Sequence, residues 1–126
     1  MLYRLLRPDE KWKDGLTAKD PNSDVSVFNH VINGSGDGNK SKYISTCRNL
    51  ATVNTFKSNS TNPGQIVKIL EDDLPVNIID LTTQENRKKY YSSNPSDNER
   101  FNNFAKCFQE VLLVGNVPAS HISLVT

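Results

Sequence analysis

Cysteine is scarce in this chain: Cys47 and Cys107 are the only two among 126 residues. Two thiols make neither a disulfide framework nor a zinc site, and both read as partly buried free thiols. Long apolar runs are missing as well. Nothing approaches the roughly 18 to 20 apolar residues that span a bilayer, so no membrane helix is expected. Met1 to Arg7 is too short an apolar stretch for the core of a signal peptide, and a cytosolic site of action is expected. Charge of one sign is lacking too. Fifteen Lys and Arg against fourteen Asp and Glu leave a net +1, which exerts no general pull on nucleic acid or anionic membrane. With two histidines and no Cys/His/Asp cluster, no metal is expected.

What remains is an ordinary globular composition, 36% hydrophobic and 23% charged, with a mean hydropathy of −0.55. The length predicts one domain over residues 1–126 with one core. Leu2 to Leu6 reads as a strand ended by Arg7-Pro8-Asp9-Glu10. A helix is predicted from Ser23 or Asp24, carrying Val25, Phe28, Val31 and Ile32 on one side. The glycine-rich residues 33–38 terminate it. Further strands are predicted at 42–46, 65–70, 76–81, 110–114 and 121–125, with a short helix over 49–56. Asp97 is the expected cap of a helix through Phe101 and Phe104; residues 85–91 are basic and aromatic, and the segment from Arg87 to Asn103 reads as a solvated helix face. Asn33-Gly34-Ser35 and Asn59-Ser60-Thr61 match the glycosylation sequon, as chance does readily in so Asn- and Ser-rich a chain. Strands dominate and helices are segregated, which is the α+β pattern.

Glu110 is the anomaly in this plan. It lies in Phe108-Gln109-Glu110-Val111-Leu112-Leu113-Val114, where one carboxylate interrupts apolar sequence. A charge inside such a strand needs a partner or a use. Upstream, Leu2-Tyr3-Arg4 and Tyr43-Ile44-Ser45-Thr46-Cys47 place an arginine and a serine on strands of their own. Taken singly, Arg4 reads as a strand-edge residue, Ser45 and Thr46 as ordinary strand residues, and His30 as a structural histidine.

Together the segments resemble the cholera-toxin and pertussis-toxin group of ADP-ribosyltransferases. Leu2-Tyr3-Arg4, Arg7-Pro8-Asp9-Glu10 and Gly15-Leu16 are similar to that group's opening. Val27-Phe28-Asn29-His30 is similar to its helix with an aspartate-histidine pair. Tyr43-Ile44-Ser45-Thr46-Cys47 resembles its serine-threonine strand, and Gln109-Glu110-Val111 with Val117-Pro118 and Ser120-His121-Ile122 resembles its catalytic glutamate strand and following hairpin. The resemblance runs from residue 2 to about 125, in the family's order.

It implies a split β-sandwich with a few short helices, NAD⁺ as substrate and no metal. It also implies a macromolecular acceptor, more readily protein than nucleic acid, with no membrane involved. Glu110 would stabilise the sugar cation formed as the nicotinamide bond breaks, a transition state like that of glycoside hydrolysis. Ser45 would orient Glu110. Arg4 would pair with an NAD⁺ phosphate or tie the neighbouring strand in place. Leu5 and Thr46 would complete the NAD⁺ site, and His30 would hold the adenosine ribose or position an acceptor. Phe108, Tyr90 and Tyr91 fall on the acceptor side.

Two departures bear on the chemistry. Leu5-Leu6 and a single Pro8 stand where the family has a longer, acidic, doubly prolyl segment. Phe108 occupies the position at which arginine-modifying members carry Glu or Gln. Phenylalanine neither gives nor takes a proton, so arginine modification is disfavoured. Three expectations follow: transfer of ADP-ribose to another acceptor, hydrolysis of NAD⁺ by water, or a binding module without turnover.

Overall fold

The computed structural model describes residues 1–33, 40–61 and 63–125. Six strands, Leu2–Leu5 (β1), Tyr43–Cys47 (β2), Ile66–Ile69 (β3), Asn77–Asp80 (β4), Glu110–Val114 (β5) and Ile122–Leu124 (β6), pair in the order β4-β5-β2-β1-β3-β6. Every ladder is antiparallel. Among the described residues four α-helices accompany them: Val27–Asn33 (α1), Leu50–Asn59 (α2), Gln84–Lys88 (α3) and Pro95–Cys107 (α4). The α+β class expected from the sequence is what the chain adopts.

The sheet is unevenly joined. β2 pairs with β5 over five positions and β1 with β3 over four, but β1 meets β2 at the single pair Tyr3↔Cys47. Two three-stranded halves of the one sheet are thus joined at one seam by a single ladder pair, because ladder hydrogen bonds hold only where strands lie alongside. The halves are sustained by apolar clusters. Leu2, Leu6, Ile44, Val67, Ile69, Val111 and Leu113 form the largest. Val27, Val31, Leu81, Phe101, Ala105 and Leu112 join α1 and α4 to β5. Cys47, Val53 and Ile66 seat α2 beside the seam.

Several element boundaries differ from the sequence expectation. α1 begins at Val27, not at Ser23 or Asp24, because Ser26 supplies the first turn: its hydroxyl accepts from the Asn29 amide and its carbonyl from the His30 amide. Val25 therefore precedes the helix. Residues 34–38 of the expected terminator lie outside the described residues. α4 begins at Pro95, and Asn94 rather than Asp97 caps it, accepting from the Ser96 and Asp97 amides. Asparagine followed by proline at the first helical position is the stronger start signal. Arg87 on α3 is buried, donating to the Leu81 carbonyl and the Asn102 side chain, whereas Lys88 and Lys89 beside it are exposed, so the expected solvated face gives way at Arg87. Cys47 is buried, but Cys107 is exposed at the end of α4. Among the described residues no helix is long and apolar enough to cross a membrane.

Gly64 is forced by the packing, since a Cβ there would collide with the Leu6 carbonyl oxygen, where the chain entering β3 passes over the end of β1.

Candidate functional site

β2 and β5 fix the relation between Ser45 and Glu110. Cys47 faces Glu110 and Ser45 faces Leu112 in the ladder. Ser45 and Glu110 are therefore diagonal neighbours on one face, within reach of a side-chain hydrogen bond. The backbone of Glu110 is held from the other side as well, since its carbonyl accepts from the Leu81 amide at 3.0 Å. The approach to Glu110 is abrupt. α4 ends at Cys107 with Phe108 as its cap, and Gln109 turns the chain into β5 with φ +47°, in the left-handed region. A non-glycine residue there stores strain of about 1 kcal/mol, directly beside the carboxylate it aims.

The serine hydroxyl sits between two groups. His30 Nε2 lies 2.7 Å from Ser45 Oγ, and the Ser45 hydroxyl, diagonal to Glu110 on the same sheet face, is near enough to hold the carboxyl's pKa down. On its far side His30 Nδ1 is 2.6 Å from Ser41 Oγ. A chain Ser41–His30–Ser45 results, running from the segment before β2 through α1 to β2, with Glu110 beside its Ser45 end.

Arg4 closes the seam from β1. Its Nη1 donates to the Ser45 carbonyl at 2.6 Å, and its Nη2 donates to Glu10 Oε1 at 2.9 Å. The same Glu10 oxygen accepts the Arg7 amide at 2.8 Å. Both side chains of the pair are over nine-tenths buried. The guanidinium thus ties β1 to β2 where the ladder has a single pair. Arg4 Nε and Glu10 Oε2 are buried without hydrogen-bond partners among the described residues, which leaves polar atoms at the site unspent.

These groups converge on one cavity of about 380 Å³, lined by Arg4, Leu5, His30, Ser45, Thr46, Phe108 and Glu110 among others. Every residue expected from the sequence to serve catalysis or NAD⁺ binding is on that wall. Thr46 spends its hydroxyl elsewhere, donating to the Val111 carbonyl at 2.6 Å. Phe108 forms an apolar side of the cavity with Phe56, whose ring meets it edge-on at 5.1 Å, while Phe104 stacks behind at 6.0 Å. Tyr90 and Tyr91 are not brought to the cavity. They pack on the cluster around Phe101, and the Tyr91 hydroxyl accepts from the Asn102 amide.

Electrostatics separate the two titratable groups. Burial pushes the Glu110 carboxyl from its ordinary 4.5 up to about 7, against the lowering pull of the Ser45 hydrogen bond and the Arg4 charge. Glu110 keeps some exposed surface because it faces the cavity; its carboxyl is enclosed at the cavity's depth, and that enclosure governs its titration. Burial, with the Arg4 and Lys19 charges adding to it, lowers His30 from 6.5 to about 4. At neutral pH His30 is an uncharged imidazole and Glu110 is poised near its midpoint.

Sequence reasoning did not single out Ser41, the partner of His30, or Glu10, the partner of Arg4. Glu10 sits six residues after Arg4 across a proline turn, a spacing that could have suggested the pair. Ser41 carries no such signal. Tyr3, Val31, Cys47, Val53, Phe56 and Ser60 also reach the cavity; α2 brings Val53 and Phe56, and nothing in its local sequence marks them out. Burial raises the Cys47 thiol above its ordinary value, and the Glu110 charge adds to this, so it is a poor nucleophile. Among the described residues no group of three or more His, Cys, Asp or Glu side chains could hold a metal ion.

Comparison with known proteins adds one relative. No family model matches the chain, and no solved structure matches it. The sequence is 29% identical over 104 residues to JmjC domain-containing histone demethylation protein 1 of Kluyveromyces lactis, a match that covers 75% of this chain and 22% of that protein. The chain spans about a fifth of the length of this relative.

Proposed function

We propose that the chain is an NAD⁺-cleaving ADP-ribosyltransferase, with Arg4, Ser45 and Glu110 as its working residues. The observation that carries this reading is the convergence of those three residues, from three different strands, on one cavity at the seam of the sheet. The thin join between the two halves of the sheet is compatible with the split sandwich of the toxin-like transferases that the sequence resembles. In the proposed reaction the bond between ribose C1′ and the nicotinamide nitrogen breaks, and nicotinamide leaves with the electron pair. The ionised Glu110 carboxylate stabilises the positive charge left on the sugar. Enclosure strengthens that attraction, since few waters screen it. Ser45 holds the carboxylate in place, and the acceptor's nucleophilic atom then bonds to C1′ and gives up its proton.

Phe108 favours a second reading within the same chemistry, in which water is the acceptor and the products are ADP-ribose, nicotinamide and a proton. Its ring and that of Phe56 present no group able to orient or deprotonate a guanidinium. Incubating the protein with NAD⁺ labelled in the adenylate part, alone and with cell lysate, separates the readings. Transfer predicts nicotinamide release together with label in macromolecules. Hydrolysis predicts nicotinamide release and free ADP-ribose only. An absence of turnover in both conditions, unaltered by Glu110→Ala, would sink both.

A further inference from the structure

We propose that Ser41 is a positioning residue that sets the tautomer of His30 and so reserves the Ser45 hydroxyl proton for Glu110. A neutral imidazole carries one N–H and one lone pair, so its two ring nitrogens must play opposite roles. His30 is flanked by hydroxyls on both nitrogens, Ser41 Oγ at 2.6 Å from Nδ1 and Ser45 Oγ at 2.7 Å from Nε2. Either hydroxyl can give or take, and the histidine alone does not choose between the two arrangements.

Ser41 makes the choice through its backbone surroundings. It is 2% exposed, and its Oγ already accepts the Tyr43 amide at 3.3 Å. If Ser41 also accepted a proton from His30 Nδ1, both its lone pairs would be used and its own O–H would be buried without an acceptor. A buried donor left unpaired is costly. If Ser41 instead donates to Nδ1, its hydroxyl hydrogen and its lone pair both agree with their partners. His30 then carries its proton on Nε2 and donates it to Ser45 Oγ. Ser45, accepting from His30, turns its own proton to the Glu110 carboxylate. In the opposite tautomer Nε2 would take the Ser45 proton, and Ser45 would face an ionised Glu110 with lone pairs only.

The consequence is a preference for ionised Glu110, conveyed through two side chains from a residue outside the reaction cavity. Among the described residues, charged and titratable groups near these side chains include Arg4 from β1, Lys19 from the segment before α1, and Tyr43 and Cys47 from β2. Arg4 favours ionised Glu110 in either tautomer, so the share due to Ser41 is the part that disappears when its hydroxyl is removed.

The inference rests on the proposed function only for its kinetic readout. Nitrogen-15 NMR of the histidine rings, with His121→Gln to remove the other histidine, reads the tautomer directly. The expected result is His30 protonated at Nε2, unchanged in Ser41→Thr, with the Nδ1-protonated form becoming populated in Ser41→Ala. The Glu110 carboxyl signal, assigned against Glu110→Gln, should titrate about 0.5 to 1 pH unit higher in Ser41→Ala and return in Ser41→Thr. If NAD⁺ is turned over, the acid limb of its pH profile should move by the same amount, with the plateau above it retained. A wild-type His30 protonated at Nδ1 overturns the inference, as does a Ser41→Ala protein whose Glu110 titrates as in wild type. Both measurements stand whether or not NAD⁺ is cleaved, so failure of the activity and failure of the relay are separate results.

Discussion

Burial acts on Glu110 and His30 with opposite sign. Glu110 in the folded chain holds its proton up to about pH 7, whereas unfolded it releases it near 4.5. Its contribution to stability is full below 4.5 and is lost as pH rises through 7. His30 is neutral in the folded chain down to about pH 4 but charges near 6.5 when unfolded. Its contribution is full above 6.5 and is lost as pH falls through 4. Between these limits the two slopes oppose each other in the wild type. Glu110→Gln removes one of them. It should slow nicotinamide release by about 10³-fold or more, as loss of a group stabilising transition-state charge does. It should also raise stability at pH 8 by up to about 3 kcal/mol, the free energy of ionising the enclosed carboxyl against ionising it in the unfolded chain. Little change is expected at pH 4.5. Urea unfolding at both pH values decides this, and an equal difference at the two would show that Glu110 does not titrate in that window.

At the scale of elements, the site depends on how α4 hands over to β5. Asn94 caps the start of the helix and Gln109 turns its end into the strand at φ +47°. Asn94→Ala should cost about 1 kcal/mol of stability and leave NAD⁺ cleavage intact, because thirteen residues of helix separate it from the turn into Glu110. Gln109→Val should do the reverse in emphasis. A β-branched residue is strained at positive φ, so the turn must shift and carry Glu110 with it. Thermal denaturation together with nicotinamide release distinguishes them: the first variant loses stability alone, the second loses turnover out of proportion to stability. Gln109→Gly, which adopts that φ freely, should retain activity.

For the whole molecule, the seam between β1 and β2 is both the weakest join in the sheet and the place where the cavity opens. Arg4 spans it with two directed hydrogen bonds, one to the Ser45 carbonyl and one to Glu10. Arg4→Lys keeps the charge but loses the planar fork. It should destabilise the chain by about 1–3 kcal/mol, since one buried acceptor is left unpaired. Amide exchange should then quicken at Tyr3, Ser45 and Cys47 before it does in β3 or β5. Exchange rising uniformly across all six strands would argue that Arg4 supports the general core and has no special part in the seam.

The strands and part of the cavity wall, Arg4, Ser45 and Glu110 above all, were legible from the amino-acid order, whereas Val53 and Phe56 were not. Short apolar and β-branched runs marked six strands to within a residue or two, because burying a strand face imposes its pattern whatever the partner strand is. A carboxylate within Phe108 to Val114 marked Glu110, since so apolar a setting makes an unexplained charge conspicuous. The helix starts were less legible at Ser23 and Asp97, where several capping residues compete and only the local backbone selects Ser26 and Asn94. Folding in three dimensions settled the rest. Ser41 and Glu10 are ordinary polar residues until folding brings them against His30 and Arg4, and Tyr90 and Tyr91 stand away from the cavity because α3 and Phe101 hold them there. The raised titration of Glu110 and the lowered one of His30 belong to the same level. They arise from enclosure by strands far apart in the chain, and desolvation is a property of the assembled surroundings rather than of any residue or its neighbours in sequence.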